Sequence, residues 1–198
     1  MRKCGVLMPV SSLPSRFGIG GFSKEAYDFV DFLAEGGQSL WQILPLGPTG
    51  YGDSPYQSFS TFAGNPYYIS LDALIKQGLL TEEECEAADY GDHPNYVNYE
   101  KIYNSRFDLL RKAFNRADIE NDTNYEKFVE DQSAWLKDYA MYMAIKDSLG
   151  GVAWIEWDED IRLRKPAAMA HYEETLKEDI AFYSYLQYLF ATQWSALK

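Results

Sequence analysis

The chain carries 30 acidic residues, two histidines and two cysteines, and none of them stands in a spacing that performs chemistry by itself. Asp158, Glu159 and Asp160 follow Trp157 as a run of neighbouring charges, which reads as solvated surface because ionised side chains are seldom buried. Glycosidic chemistry needs two carboxyl groups facing each other, about 5–5.5 Å apart in retaining enzymes, and spacing alone places no such pair here. His171 lies beside Glu173 and Glu174 with no nucleophile pattern nearby, and no serine or cysteine sits in a G-x-S-x-G elbow. Cys4 and Cys85 are far apart and, with His93 and His171, form no metal-ligand spacing. Neither a metal nor a cofactor is expected.

Phe17–Phe22, FGIGGF, has the first two glycines of a dinucleotide fingerprint, but Ser23 occupies the third glycine position and no acid closes the second strand. It reads as a turn-forming loop. Binding chemistry is better served by residues 47–67, GPTGYGDSPYQSFSTFAGNPY, with four glycines, three prolines and five aromatic rings. Glycine permits positive φ and close approach, while proline fixes φ near −65°, so the composition describes a loop held in one shape. Tyrosine offers a flat apolar face and one polar handle, which suits a sugar ring with its C–H faces and hydroxyl edge. Tyr51, Tyr56 and Tyr67 are candidates to stack, and Asp53, Ser54, Gln57 and Asn65 to meet hydroxyls. Phe59 and Phe62 are expected to pack inward, and Tyr51 and Tyr56, flanked by Gly and Pro, to bind.

The elements that must position this loop follow from periodicity. Cys4–Val10 and Ser39–Leu46 are short, mostly apolar runs of the kind buried on both faces of a parallel sheet. Between them, Ser23 reads as an N-cap with Glu25 in the first turn, and Phe22 and Tyr27 are placed for a hydrophobic staple. Ala26, Phe29, Val30 and Leu33 form a helical stripe that Gly36-Gly37 ends. Strand, helix and strand make a βαβ unit with a right-handed crossover, and ligand sites of parallel α/β folds lie beyond the strand ends, where the loop begins. After residue 72 the pattern is helical. A capping box joins Thr81 to Glu84, and helices are predicted over 99–115, from about 124 to 149, and from about 166 to the end. Leu176, Ile180, Tyr183, Phe190 and Trp194 form one stripe of the last, with Phe182, Leu186 and Leu189 beside it, so burial on several sides is expected. No third core strand is evident, and two parallel strands alone are not a stable sheet. The expectation is an α/β fold, the N-terminal piece of a larger protein.

With 198 residues, 46% of them hydrophobic, the chain is globular in composition. Its formal net charge of −12 argues against nucleic-acid or anionic-membrane partners, which need clustered Lys and Arg. The one basic cluster, Arg162–Lys165, reads as a solvated helix entry. No run reaches the ~18 apolar residues of a membrane span, and the N-terminus reads as a strand instead of a signal peptide. A cytoplasmic protein with reduced thiols is expected.

Residues 41–71, WQILPLGPTGYGDSPYQSFSTFAGNPYYISL, resemble the signature segment of the 4-α-glucanotransferases called amylomaltases or disproportionating enzymes, glycoside hydrolase family 77. SSLPSRFGIGGFSKEAYDFVDFL, VNYEKIY, KDYAMYMAIKDSLGG, WIEWDEDIRLR and FATQWSALK resemble it too, so the resemblance covers nearly the whole chain, weakly over 81–95. It implies a (β/α)8 barrel with a large, mainly helical insertion after strand 2. On that basis residues 1–50 form the first βαβ unit, 51–72 the glucan-binding loop, 73–165 the insertion and 166–198 a helix returning to the barrel. It implies transfer of α-1,4-glucan segments between maltooligosaccharides by a retaining double displacement, with the catalytic carboxylates on later strands outside this chain. The partners implied are α-1,4-glucans and the rest of the barrel. By resemblance Tyr56 stacks on the sugar at the donor site, Ser54 and Pro55 make neighbouring glucan contacts, and Tyr51 and Tyr103 belong to a second glucan groove. Asp53 and Asn65 match motif positions and are expected to brace the loop through Asx-type bonds. Met8 stands where many relatives carry histidine. The alternative from another class is a non-catalytic carbohydrate-binding or interaction module.

Overall fold

The computed structural model describes residues 2–50, 52–93 and 95–198. Strands β1 (Gly5–Leu7) and β2 (Leu40–Gln42) pair in parallel, with Gly5 opposite Leu40, Val6 opposite Trp41 and Leu7 opposite Gln42. Helix α1 (Lys24–Glu35) forms the crossover. It ends because Gly37 adopts φ +68°: the Gly37 N–H then bonds the Ala34 carbonyl and the Gln38 N–H the Leu33 carbonyl, satisfying two orphaned acceptors in a Schellman arrangement. At the other end Ser23 is the N-cap residue, but its hydroxyl donates to Glu25 and caps no backbone N–H. Phe22 packs on Tyr68, Phe190 and Trp194, leaving the predicted staple partner Tyr27 41% exposed.

The strands are shorter and more open than the predicted runs. Each has three residues in an exposed, half-buried, exposed pattern, with Leu7 and Leu40 about half exposed. The first ends where the chain turns into a one-turn 3-10 helix at Val10–Ser12, just after Met8 bonds the Gln42 carbonyl. Exposure follows from the pairing: among the described residues each strand has a single neighbour.

Two compact units divide the chain. The first comprises Met1–Ala117 and Leu189–Lys198. Here Ser70 caps α2 (Leu71–Lys76), and Thr81 and Glu84 form the capping box of α3 (Glu82–Glu86). Asn98 caps the 18-residue α4 (Tyr99–Arg116), whose Ile102, Arg106, Leu109, Leu110 and Ala113 fall on one buried stripe. Ile69, Leu71, Leu74 and Leu80 complete this core.

The second unit is Asp118–Tyr188. It contains α5 (Thr123–Asp131), α6 (Leu136–Ser148), α7 (Glu159–Arg162), α8 (Pro166–Thr175) and the first part of α9 (Lys177–Leu197). Met141, Ile145, Trp157 and Ile161 are its centre, with Tyr172, Leu176 and Ile180 packed on them. Two predicted helices are each divided. The 124–149 run breaks at Gln132–Trp135, where the Trp135 indole N–H bonds the Gln132 side chain at 2.9 Å and the backbone turns. The run from 166 breaks at Leu176, next to Thr175, whose hydroxyl donates to the His171 carbonyl and bends the helix end. From Phe182 to Gln187 every residue of α9 is buried, as are Leu189 and Phe190. No helix among the described residues is long and apolar enough to cross a membrane.

Candidate functional site

The aromatic loop leaves the end of β2 and is closed at its base by one backbone bond, from the Asn65 N–H to the Leu46 carbonyl at 2.8 Å. An isolated antiparallel bridge between Thr49 and Ser58 narrows it. At the tip Asp53 adopts φ +53°, in the left-handed region that a non-glycine residue enters at a cost of about 1–2 kcal/mol. Two contacts hold it there: its N–H bonds the Gly50 carbonyl, and its carboxylate accepts from the Thr49 hydroxyl at 3.3 Å. A turn over Ser54–Gln57 follows, closed by the Gln57 N–H on the Ser54 carbonyl, with Pro55 in the position that proline pre-sets. The Ser60 hydroxyl accepts from the Phe62 and Ala63 N–H groups, and the Asn65 side chain accepts from the Tyr67 N–H at 3.0 Å.

Tyr67 and Tyr68 anchor the loop from below, both under 10% exposed. Tyr67 lies against Tyr99 and Phe107 of α4. A cavity of about 20 Å³ sits between the loop and the turn that follows β1, lined by Ser11, Thr49, Asp53, Asn65, Tyr67 and Tyr99 among others. Burial raises the Asp53 carboxyl above the usual range against the opposing Thr49 hydrogen bond, and burial pushes the Tyr68 hydroxyl up to about 12. An open groove of about 560 Å³ runs along the other side, lined by Pro55, Tyr56, Ser58, Phe62, Phe190 and Trp194 among others. Asp53 is the one carboxylate in these two linings among the described residues.

Of the predicted site residues, Tyr51 lies outside the described residues. Ser54 and Pro55 are half-buried, and Tyr56 presents a ring 72% exposed at the groove. Tyr103 is on α4, 45% exposed, with its ring 4.9 Å from Phe107. Phe59 and Phe62, expected to pack inward, are 42% and 71% exposed, because the Ser60-centred turn lifts them while Tyr67 takes the buried position. Asp160 pairs with Lys165, and no group of three or more His, Cys, Asp or Glu among the described residues is arranged to hold a metal. At the Met8 position the backbone carbonyl accepts from the Trp41 indole at 2.8 Å.

Sequence reasoning missed Arg106. Its side chain is 2% exposed and donates to the carbonyls of Phe17 and Ile69, while its Nε has no partner. The signal was present, since Arg106 falls midway along the stripe that begins at Ile102 and runs on to Leu109 and Ala113. Burial lowers its pKa to about 10, which leaves it charged at neutral pH.

Residues 8–198 match the family model described as 4-alpha-glucanotransferase. The chain belongs to the 4-alpha-glucanotransferase family. Relatives of that name include one from Streptococcus pneumoniae, 49% identical over 199 residues, and one from Clostridium butyricum, 47% identical over 191 residues. The matches cover 100% and 96% of this chain but 39% of each relative, so the chain spans about two fifths of the 4-alpha-glucanotransferases it matches. Among solved structures, an amylomaltase from Streptococcus agalactiae in complex with acarbose superposes with a TM-score of 0.94 at 40% identity, over the whole chain and 40% of that protein. An amylomaltase from Corynebacterium glutamicum, 21% identical, shares the fold with a TM-score of 0.71, over 98% of this chain and 28% of that one.

Proposed function

We propose that the protein carrying this chain is a 4-α-glucanotransferase that moves α-1,4-glucan segments between maltooligosaccharides by a retaining double displacement. Within it the chain supplies substrate-binding surfaces. Family membership over residues 8–198 is the observation that carries this reading, and the acarbose-bound amylomaltase of similar fold agrees with it. In this reading β1 and β2 are the first strands of a (β/α)8 barrel, residues 73–165 are a helical insertion, and 166–198 return to the barrel. That division follows the order of the barrel, whereas the two compact units follow packing. The remaining strands, supplied by the rest of the polypeptide, carry the catalytic carboxylates, and the enzyme works in the cytoplasm without a cofactor, nucleic acid or membrane as partner.

Tyr56 stacks its exposed ring on the apolar face of the donor glucose, and Ser54 and Pro55 contact the same sugar. Asp53 and Asn65 hold the loop from within, through the Thr49 hydroxyl and the Tyr67 N–H. Tyr51 and Tyr103 belong to a second groove that receives a longer glucan. The chemistry of the loop is therefore orientation: rigid backbone fixes the rings, so little ordering entropy is spent when sugar binds.

Maltotriose disproportionation by the full-length protein tests the reading. Release of glucose with growth of longer oligosaccharides is expected, and a purified, folded full-length protein that produces neither would overturn it, leaving a non-catalytic carbohydrate-binding module. Tyr56→Ala should lower kcat/KM by one to two orders of magnitude, about 1.4–2.7 kcal/mol of transition-state stabilisation. Its melting temperature should stay near wild type, because the ring is 72% exposed. An unchanged kcat/KM removes Tyr56 from the donor site.

A further inference from the structure

A guanidinium with no carboxylate partner in its hydrogen bonds lies at the centre of the first unit. Arg106 is fully enclosed on α4, and both of its hydrogen-bonded acceptors are main-chain carbonyls from distant segments. Phe17 belongs to the 13–22 loop before α1, and Ile69 stands directly at the exit of the aromatic loop. Main-chain carbonyls compensate a buried charge less completely than an ion pair does, and Nε is left without any acceptor. An apolar side chain of the same length would fill the stripe formed by Ile102, Leu109 and Ala113 at lower cost. What the guanidinium does that an apolar chain cannot is join two loops to one helix, through a planar fork with donors in fixed directions.

The joined segments are those that shape the sugar-binding face. The Phe22 N–H bonds the Tyr68 carbonyl at 2.8 Å, so the two loops run against each other beside the point that Arg106 grips. Tyr67, two residues before Ile69, packs on Tyr99 and Phe107 of the same helix and lines one small cavity together with Asp53 and Pro55. A shift of Ile69 is thus passed through Tyr67 to Pro55 and its neighbour Tyr56. We propose that Arg106 is a positioning residue for glucan binding: it holds the exit of the aromatic loop against α4 and the 13–22 loop, and so fixes the height and tilt of the Tyr56 ring. The inference rests on the glucan-binding reading of that loop.

Arg106→Met in the full-length protein separates this role from plain support of the core. Methionine keeps the length and apolar stem, and relief of the buried charge offsets the cost of leaving the Phe17 and Ile69 carbonyls without this donor. The expected result is a melting temperature within a few degrees of wild type and a KM for maltotriose raised about tenfold, with kcat changed less than about twofold. Arg106→Lys, which keeps the charge but not the fork, should recover part of the KM loss. Amide hydrogen exchange provides a readout that needs no activity: residues 46–69 should exchange at least about tenfold faster in Arg106→Met, while 109–114 of α4 keep wild-type protection. Unchanged KM with unchanged exchange in 46–69 overturns the proposal. So does a uniform rise in exchange across the first unit with a lowered melting temperature, which marks a merely structural residue. Should Arg106→Met fail to fold, Arg106→Lys decides by the same exchange pattern, confined to 46–69 or spread evenly. An inactive wild type would refute the transferase reading alone, and exchange would still report on the loop.

Discussion

Gly64 is the point at which the aromatic loop is forced against the last helix, and replacing it with alanine tests that contact directly. A Cβ built there lies 2.2, 2.3 and 2.4 Å from Cδ1, Cε1 and Cγ of Phe190. Carbon atoms rest about 3.5–4.0 Å apart, so the ring has to retreat by about 1.3 Å or more. Phe190 is 9% exposed and meets Phe22 edge-on with ring centroids 5.2 Å apart, which leaves it little room. Gly64 does not have a positive φ, so the substitution carries no left-handed backbone penalty and its cost is steric. Overpacking of this kind costs about 1–3 kcal/mol, and each kcal/mol lowers the melting temperature of a domain of this size by about 2–4 °C. A drop of about 2–12 °C is expected by calorimetry. Phe190→Leu in the same background removes the ring edge, so the double mutant should recover at least about 1 kcal/mol relative to additivity. A Gly64→Ala protein melting within about 1 °C of wild type, or a double-mutant cycle with no coupling, would refute the packing described here.

Asp53→Asn should cost less than about 0.5 kcal/mol, since asparagine tolerates the left-handed region and keeps an acceptor for Thr49. Asp53→Ala loses both features and should cost about 1.5–3 kcal/mol, read by urea unfolding; equal stability of the two variants would contradict the loop geometry. Because burial raises the Asp53 carboxyl, the folded state binds its proton more tightly than the unfolded one. The contribution of this group to stability therefore falls as pH rises through its raised pKa, and the stability difference between wild type and Asp53→Asn should shift in favour of the variant over that range. Glu84 has the opposite sign. The Arg116 guanidinium, bonded to both of its oxygens, holds its carboxyl at about 2. Its contribution is present above the usual carboxylate pKa and lost as pH falls from about 4.5 towards 2, so Glu84→Gln should flatten the acid side of a pH–stability curve, and an unchanged acid limb would show that this pair is not coupled to folding.

Local rules made several elements legible from sequence. The helical pattern over 99–115 gives α4 to within a residue, and Thr81 with Glu84 marks α3 because a capping box is a contact among near neighbours. The parallel pair β1 and β2 was legible for the same reason, with Gly37 ending the helix between them. The breaks at Gln132–Trp135 and at Leu176 were not. No glycine or proline stands at either: the first carries a bond between the Trp135 and Gln132 side chains, and the second a Thr175 hydroxyl bonded back to the His171 carbonyl, contacts that composition does not announce. In the loop, the sequence indicated rigidity and tyrosines but assigned the phenylalanines inward, because hydrophobicity alone cannot tell a ring lifted by a serine turn from one folded under it. Arg106 was legible as a charge in the core register and was passed over, since its carbonyl partners are 89 and 37 residues away in the chain.

The bond between Leu46 and Asn65 makes residues 47–64 a cassette with a fixed doorway. Whatever lies between those two positions starts and returns at the same place, so substitutions inside it can alter what is grasped while the chain on either side keeps its path. Length is equally cheap, because each doubling of a closed loop adds only about 0.6 kcal/mol of closure entropy. Natural variation and laboratory exchange therefore have the same handle: the segment can be replaced whole, and a graft that preserves Gly64 opposite Phe190 inherits a seat already cut to receive it.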